Sequence, residues 1–219
     1  MKKFFIVFVL VILLSFSACN TLNPNDTDVL ESNRTETSSE TVGTDTFENI
    51  QLPLPKEKVE FSFLSGAGAW RTIITLNRDG TFTGWYLDSE MGDTGESYPK
   101  GSAYTSTFSG KFQNIEKVNE YSYKMTLTDV KTEKEVGEEW IENEIRYIAS
   151  TPHGLNDPDN NQECTEFIFY LPNTPVNQVS EEFLTWWPYR YPQEAGQKTT
   201  LSCYGILNVT TNFGFFATE

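Results

Sequence analysis

The sequence predicts an all-β fold, mainly antiparallel. The expected form is a meander of about nine strands that closes fully or partly into a barrel, with one short helix. Three observations carry this. Runs of alternating apolar and polar residues recur along the chain from Val59 onward. Between Ala69 and Asp88 a turn and two such runs agree on one register. Only one stretch, near Ser180, has the start and stop signals of a helix. A two-sheet sandwich would use the same strands and is the alternative.

Taken in order, Val59, Phe61 and Phe63 alternate with Glu60 and Ser62 and form the first strand. Ser65-Gly66-Ala67-Gly68 turns it into a hairpin. Asn77-Arg78-Asp79-Gly80 is the hairpin's own turn: Arg78 and Asp79 suit a type I centre, and Gly80 takes the positive φ of a bulge. That geometry sets Leu76 opposite Phe82, Ile74 opposite Gly84 and Thr72 opposite Tyr86, so the apolar residues share a face. Ser89 to Gly101, with Gly92, Gly95, Pro99 and Gly101, is a long loop and the first place to look for function. Tyr104 to Phe112 and Tyr121 to Leu127 alternate cleanly, with Val118-Asn119-Glu120 turning between them. Lys131 to Glu139 is charged and is assigned no element. Ile145, Tyr147 and Ala149 mark a strand, Pro152 to Gln162 a loop, and Phe167 to Leu171 a strand buried on both faces. Ser180 is the helix N-cap, Val179 staples to Leu184, and Pro188 ends the helix. Two strands follow, near Thr200 to Val209 and Phe213 to Ala217. Closure hides the edges of such a meander.

The N-terminus indicates a compartment. Met1-Lys2-Lys3 is a basic start, and Phe4 to Phe16 is an apolar run of 13 residues. That is shorter than the ~20 residues of a spanning helix and fits a secretory signal over residues 1–18. The run ends Phe16-Ser17-Ala18-Cys19, which resembles the lipobox of bacterial lipoproteins, except that Phe16 stands where Leu is usual. The resemblance implies cleavage before Cys19 and lipidation of Cys19. Two or more acyl chains hold a protein on a membrane firmly.

Residues 19–50 are rich in Ser, Thr, Asn, Asp and Glu. Up to Asn49, seven acids stand against Arg34 alone, a net of −6. Such a segment cannot bury enough apolar surface to offset its ordering entropy, and reads as a disordered tether with a reach of roughly 30 Å. Gln51-Leu52-Pro53-Leu54-Pro55 leads into a single domain over 51–219. The net charge is −15, or −17 without Lys2 and Lys3. This argues against nucleic acid and against adhesion to anionic lipid, and favours a basic partner.

From Ser65 to Phe112 the run SGAGAW…DGTFTGWYLDSEMGDTG…YPKG…FSGKF resembles an uncharacterised family of bacterial lipoproteins, mainly Gram-positive. The likeness continues to about Leu207. It implies a β-rich fold on the outer face of a Gram-positive membrane, and transfers no catalytic residue. The Gly-Ala-Trp entering the first hairpin also resembles the lipocalins, which implies a calycin-like barrel.

His153 is the one histidine and has no local cluster of ligands. Asp88 to Asp93 and Asn156 to Asn161 carry oxygen ligands without the spacing of a calcium loop, so no metal or cofactor is expected. Ser97-Tyr98-Pro99-Lys100 matches Ser-x-x-Lys in letters, but Pro99 denies the helical turn that this chemistry needs. Cys164 and Cys203 remain after Cys19; a disulfide between them and two buried thiols stand equally open. Trp186, Trp187, Tyr189 and Tyr191 crowd together. Phe183, Leu184 and Trp187 share a helical face, leaving Trp186 and Tyr189 outside it. The candidate binding surface is therefore Trp186, Tyr189, Tyr191, Asp88, Glu90 and Asp93. The reading that results is a non-enzymatic, monomeric surface lipoprotein binding another surface protein or a wall glycan. A carrier of a small apolar ligand and a cell-wall-directed hydrolase are the alternatives.

Overall fold

The computed structural model describes residues 50–156, 164–190 and 198–218. The expected signal segment, Cys19, the expected tether, Tyr191 and most of the Asn156 to Asn161 loop lie outside the described residues.

Ten strands and one α-helix are present among the described residues. They are β1 (Lys58–Leu64), β2 (Trp70–Asn77), β3 (Thr81–Glu90), β4 (Ser102–Lys117), β5 (Ser122–Thr132), β6 (Glu139–Glu142), β7 (Ile145–Ala149), β8 (Glu166–Tyr170), α1 (Glu181–Thr185), β9 (Gly205–Asn208) and β10 (Gly214–Ala217). Eight strands close in the order β1-β2-β3-β4-β5-β8-β9-β10, with β10 returning antiparallel to β1 through Phe61 and Ala217. The architecture is a closed antiparallel barrel, not a sandwich.

The first hairpin has the register its turn chemistry dictates: Leu76 faces Phe82, Ile74 faces Gly84 and Thr72 faces Tyr86. Gly80 sits at φ 83° and donates its N–H to the Asn77 carbonyl at 3.0 Å. The next pair of strands repeats the logic with alternating sizes. Phe82 lies opposite Gly110, and Phe108 opposite Gly84. Each ring occupies the space that a Cβ on the facing glycine would need.

Aromatic rings fill the barrel. Phe61, Phe63, Phe82, Phe112, Phe167, Phe169 and Phe215 are all essentially without solvent contact. Phe112 and Phe167 meet at 5.2 Å between ring centroids, and Phe61 and Phe169 at 6.2 Å.

The chain itself closes both ends. At the proximal end, Leu52 and Leu54 are buried, and the Leu52 N–H donates to the Arg78 carbonyl at 2.8 Å. At the distal end, the segment from Pro152 to Leu155 folds inward. Its His153 carbonyl accepts from Thr72 Oγ1 at 2.7 Å, and its Gly154 carbonyl from Asn208 Nδ2 at 2.9 Å. Both donors belong to residues with no exposed surface.

The helix begins at the expected cap: Ser180 Oγ accepts from the Phe183 N–H at 3.2 Å. Phe183 lies on the outer barrel wall against Tyr170 and Phe216, over the backbone of Gly205 and Gly214. The helix covers the outside of β8, β9 and β10 while Ile206 and Phe215 fill the inside, which is why these strands read as unbroken apolar runs.

One pairing departs from the expected meander. β4 is 16 residues long and β5 pairs only with its part from Phe108 onward. The vacated edge from Ser102 to Thr105 is taken by β7, in parallel, and β6 then pairs with β7. A long strand whose neighbour turns away has unpaired backbone groups, and β7 satisfies them.

Candidate binding surface on the barrel wall

The aromatic cluster around α1 is dispersed by packing. Trp187 is buried, although α1 ends at Thr185 and leaves it beyond the helix. Trp186 was expected outside the helical face, but it is half-buried. Its ring sits 5.0 Å from Phe63 and 5.7 Å from Phe213, because β1 and β10 pair only through Phe61 and Ser62 and leave a gap beyond them. Tyr189 is exposed, with Lys198 Nζ 5.5 Å from its ring centre.

The acids Asp88, Glu90 and Asp93 differ in their surroundings. Glu90 is exposed at the end of β3. Asp88 is half-buried and accepts a long hydrogen bond, 3.5 Å, from the Tyr86 hydroxyl. Burial, together with that negative charge, pushes the Tyr86 phenol far above its usual range. Asp93 is a latch. Its carboxylate accepts from an Arg146 guanidinium nitrogen at 2.7 Å and from Ser102 Oγ at 2.5 Å. Arg146 also lies 4.9 Å from the centre of the Tyr98 ring. The Ser89 to Gly101 loop, expected to carry function, is thereby fastened to β4 and β7.

The cysteines are far apart. The β8–β9 ladder pairs Phe167 with Asn208 and Tyr170 with Gly205. Extended past its ends, it sets Cys164 and Cys203 at opposite ends, roughly 25 Å apart at ~3.3 Å per residue. A disulfide needs Cα atoms within about 7 Å. The bond held open as one outcome is not one that the barrel brings together.

The residues that do form an outward feature were not singled out in the sequence. They lie on the hairpin of β6 and β7. Its turn, Asn143-Glu144, has φ of 52° and 69°, the two left-handed residues of a type I′ turn. Asn tolerates that conformation and Glu does not, so no turn signal stands out in the sequence. β6 ends the sheet, with no strand beyond it among the described residues. On one face, Trp140 stacks on Tyr147 at 5.3 Å, and Lys134 Nζ lies 4.7 Å from the Trp140 ring centre. On the other, Ile141 is 49% exposed; Val136, in the turn that precedes β6, is 60% exposed. Where β5 and β7 part on β4, a cavity of about 120 Å³ opens in the wall, lined by Thr105, Ser106, Thr107, Trp140 and Ser150 among others. Ser106 is buried there and its hydroxyl has no hydrogen-bond partner among the described residues.

These features define a closed antiparallel barrel with a strand pair standing off its wall. No protein-family model, no curated protein and no solved structure matches the chain. No helix among the described residues is long and apolar enough to cross a membrane.

Proposed function

We propose that this chain is a surface lipoprotein, anchored through Cys19 on the outer face of a membrane, whose barrel is a non-enzymatic binding module working through its outer wall. The observation that carries the reading is the contrast between inside and outside. The interior is packed with phenylalanine rings and closed at both ends by the chain's own segments, whereas the β6 edge stands open among the described residues, with Ile141 and Val136 exposed. The rings occupy the space that a carried apolar ligand would need, which weighs against the carrier.

The anchor rests on Met1-Lys2-Lys3, the apolar run and Ala18-Cys19. Metabolic labelling with a fatty acid should mark the wild-type chain, and Cys19→Ala should abolish the label; a labelled Cys19→Ala chain would overturn the anchor. The binding reading is tested by titrating the full chain against isolated wall fragments and against surface-protein extract. Saturable binding that Val136→Ser with Ile141→Ser weakens supports it. Binding to neither fraction overturns it.

A further inference from the structure

We infer that β6 is a docking edge for an extended basic peptide, which joins the sheet as an added strand beyond β6. The inference rests on the reading of the barrel as a binding module and names the partner's chemistry.

The backbone supplies the first argument. In an antiparallel ladder alternate residues turn their N–H and C=O groups toward the partner strand. The β6–β7 register pairs Trp140 with Tyr147 and Glu142 with Ile145, and the Ala149 N–H donates to the Glu138 carbonyl at 2.8 Å. With the two-residue turn at Asn143-Glu144, this phase directs the backbone groups of Trp140 and Glu142 toward β7. Those of Glu139 and Ile141 then point away from the sheet. An incoming strand meets ready donors and acceptors there.

Charge supplies the second. From Glu133 to Glu144 the chain carries six glutamates against Lys134 alone. Lys100, Lys134 and Arg146 pair with Glu144, Glu138 and Glu139. Glu142 makes no ion pair among the described residues. The edge stays net acidic, which attracts a basic strand and steers its approach. It also opposes one register of the obvious competitor, a second copy of this chain. In an antiparallel copy centred on Trp140, Glu138 of each chain would face Glu142 of the other, and like charges directly opposite destabilise a pair. Acids on an edge can serve only to block pairing. Ile141, exposed between Glu139 and Glu142, is out of place for that purpose and in place for seating one β-branched side chain of a partner.

The probe is a labelled peptide of alternating Lys and Val, titrated with the detergent-solubilised full chain and followed by fluorescence anisotropy. Saturable binding is expected. Ile141→Pro removes an outward N–H without breaking a bond to β7, and proline is tolerated on edge strands. It should leave the melting temperature unchanged and weaken binding about tenfold. Glu142→Gln should weaken binding about threefold and flatten its salt dependence. If Ile141→Pro disturbs the fold, Ile141→Lys keeps the N–H and repels the peptide, and should lose binding as well. Full binding by the altered edge, equal binding of an alternating Glu and Val peptide, or a photo-cross-linker at position 141 that captures a second copy would each overturn the inference. If the Lys and Val peptide does not bind, while wall or surface-protein binding still falls with Val136→Ser and Ile141→Ser, the strand-addition proposal fails and the binding module stands. If both are silent, both fail.

Discussion

Phe82 and Phe108 each lie across β3 and β4 from a glycine, and the reciprocal fit leaves no room for a methyl group. A Cβ on Gly110 would stand 2.7 Å from the Asp129 carbonyl oxygen, as well as within the Phe82 ring's space. A flexible side chain yields to such a contact; a backbone carbonyl held in a ladder does not. Gly110→Ala should therefore lower stability by about 1–3 kcal/mol through overpacking, read as a shift of the urea midpoint with its slope unchanged. Tyr86 gives a second test. Its phenol is held above the ordinary value of 10.0 by burial first and by the Asp88 charge second. The folded state thus keeps the proton at a pH where the unfolded chain has lost it. This contribution is complete below pH 10 and is lost as pH rises above it, by up to ~1.4 kcal/mol per unit. Tyr86→Phe should make the fall in urea midpoint between pH 9 and pH 11 shallower; an unchanged fall would contradict the assignment. Gly84 and the faces of Tyr86 and Phe108 were legible in the sequence, because the turn at Asn77 to Gly80 fixes the register that places them. The clash of Gly110 with Asp129 was not, because it depends on the bulged β4–β5 pairing, which no local pattern reports.

At the scale of elements, legibility followed the turn residues. The helix start was readable from Ser180 and the two glutamates after it, since capping chemistry is local, whereas α1 ends at Thr185, ahead of the stop expected at Pro188. The β6–β7 hairpin was hidden because Glu144 holds a left-handed φ of 69°, where a glycine would have announced the turn. The turn is held in place by the backbone: the Glu144 carbonyl accepts from the Lys100 N–H at 3.1 Å. The Glu144 side chain adds a salt bridge to Lys100 at 2.7 Å, but both groups are more than half exposed, and such a pair contributes little. Relief of the left-handed strain should outweigh it. Glu144→Gly should stabilise the chain by about 0.5–1 kcal/mol and slow amide exchange along β6 and β7. A loss of stability would mean that the ion pair, not the backbone, holds the turn. Two of the candidate surface residues became tertiary contacts for a related reason. Asp93 and Trp186 read as exposed functional groups in isolation, yet Arg146 on β7 and the gap between β1 and β10 turn them into tertiary contacts, and neither partner is near in sequence.

For the whole barrel, what decides its behaviour is how the ends are closed. Leu52 and Leu54, in the stretch expected to lead from the tether into the domain, form the floor of the proximal end. The Arg78 carbonyl receives the Leu52 N–H, Arg78 Nε donates to the Lys56 carbonyl at 3.1 Å, and the Tyr204 hydroxyl donates to the Pro53 carbonyl at 3.2 Å. Two leucines removed from a packed core cost about 2–5 kcal/mol each, against a total stability of about 5–15 kcal/mol for a domain. A chain beginning at Lys56 should consequently melt far below the intact protein or fail to fold, whereas a chain beginning at Thr46 should melt with it. Differential scanning calorimetry of the two truncations decides this, and equal melting temperatures would show that the floor is dispensable. The same geometry ties anchoring to stability. If Cys19 holds the chain to a membrane, tension along the tether acts first on Leu52 and Leu54, at the end of the barrel remote from the loops around His153. Pulling would then open the proximal end before any strand is lost, and Leu52→Ala with Leu54→Ala should lower the force of that first step while leaving the β1–β2 hairpin register intact.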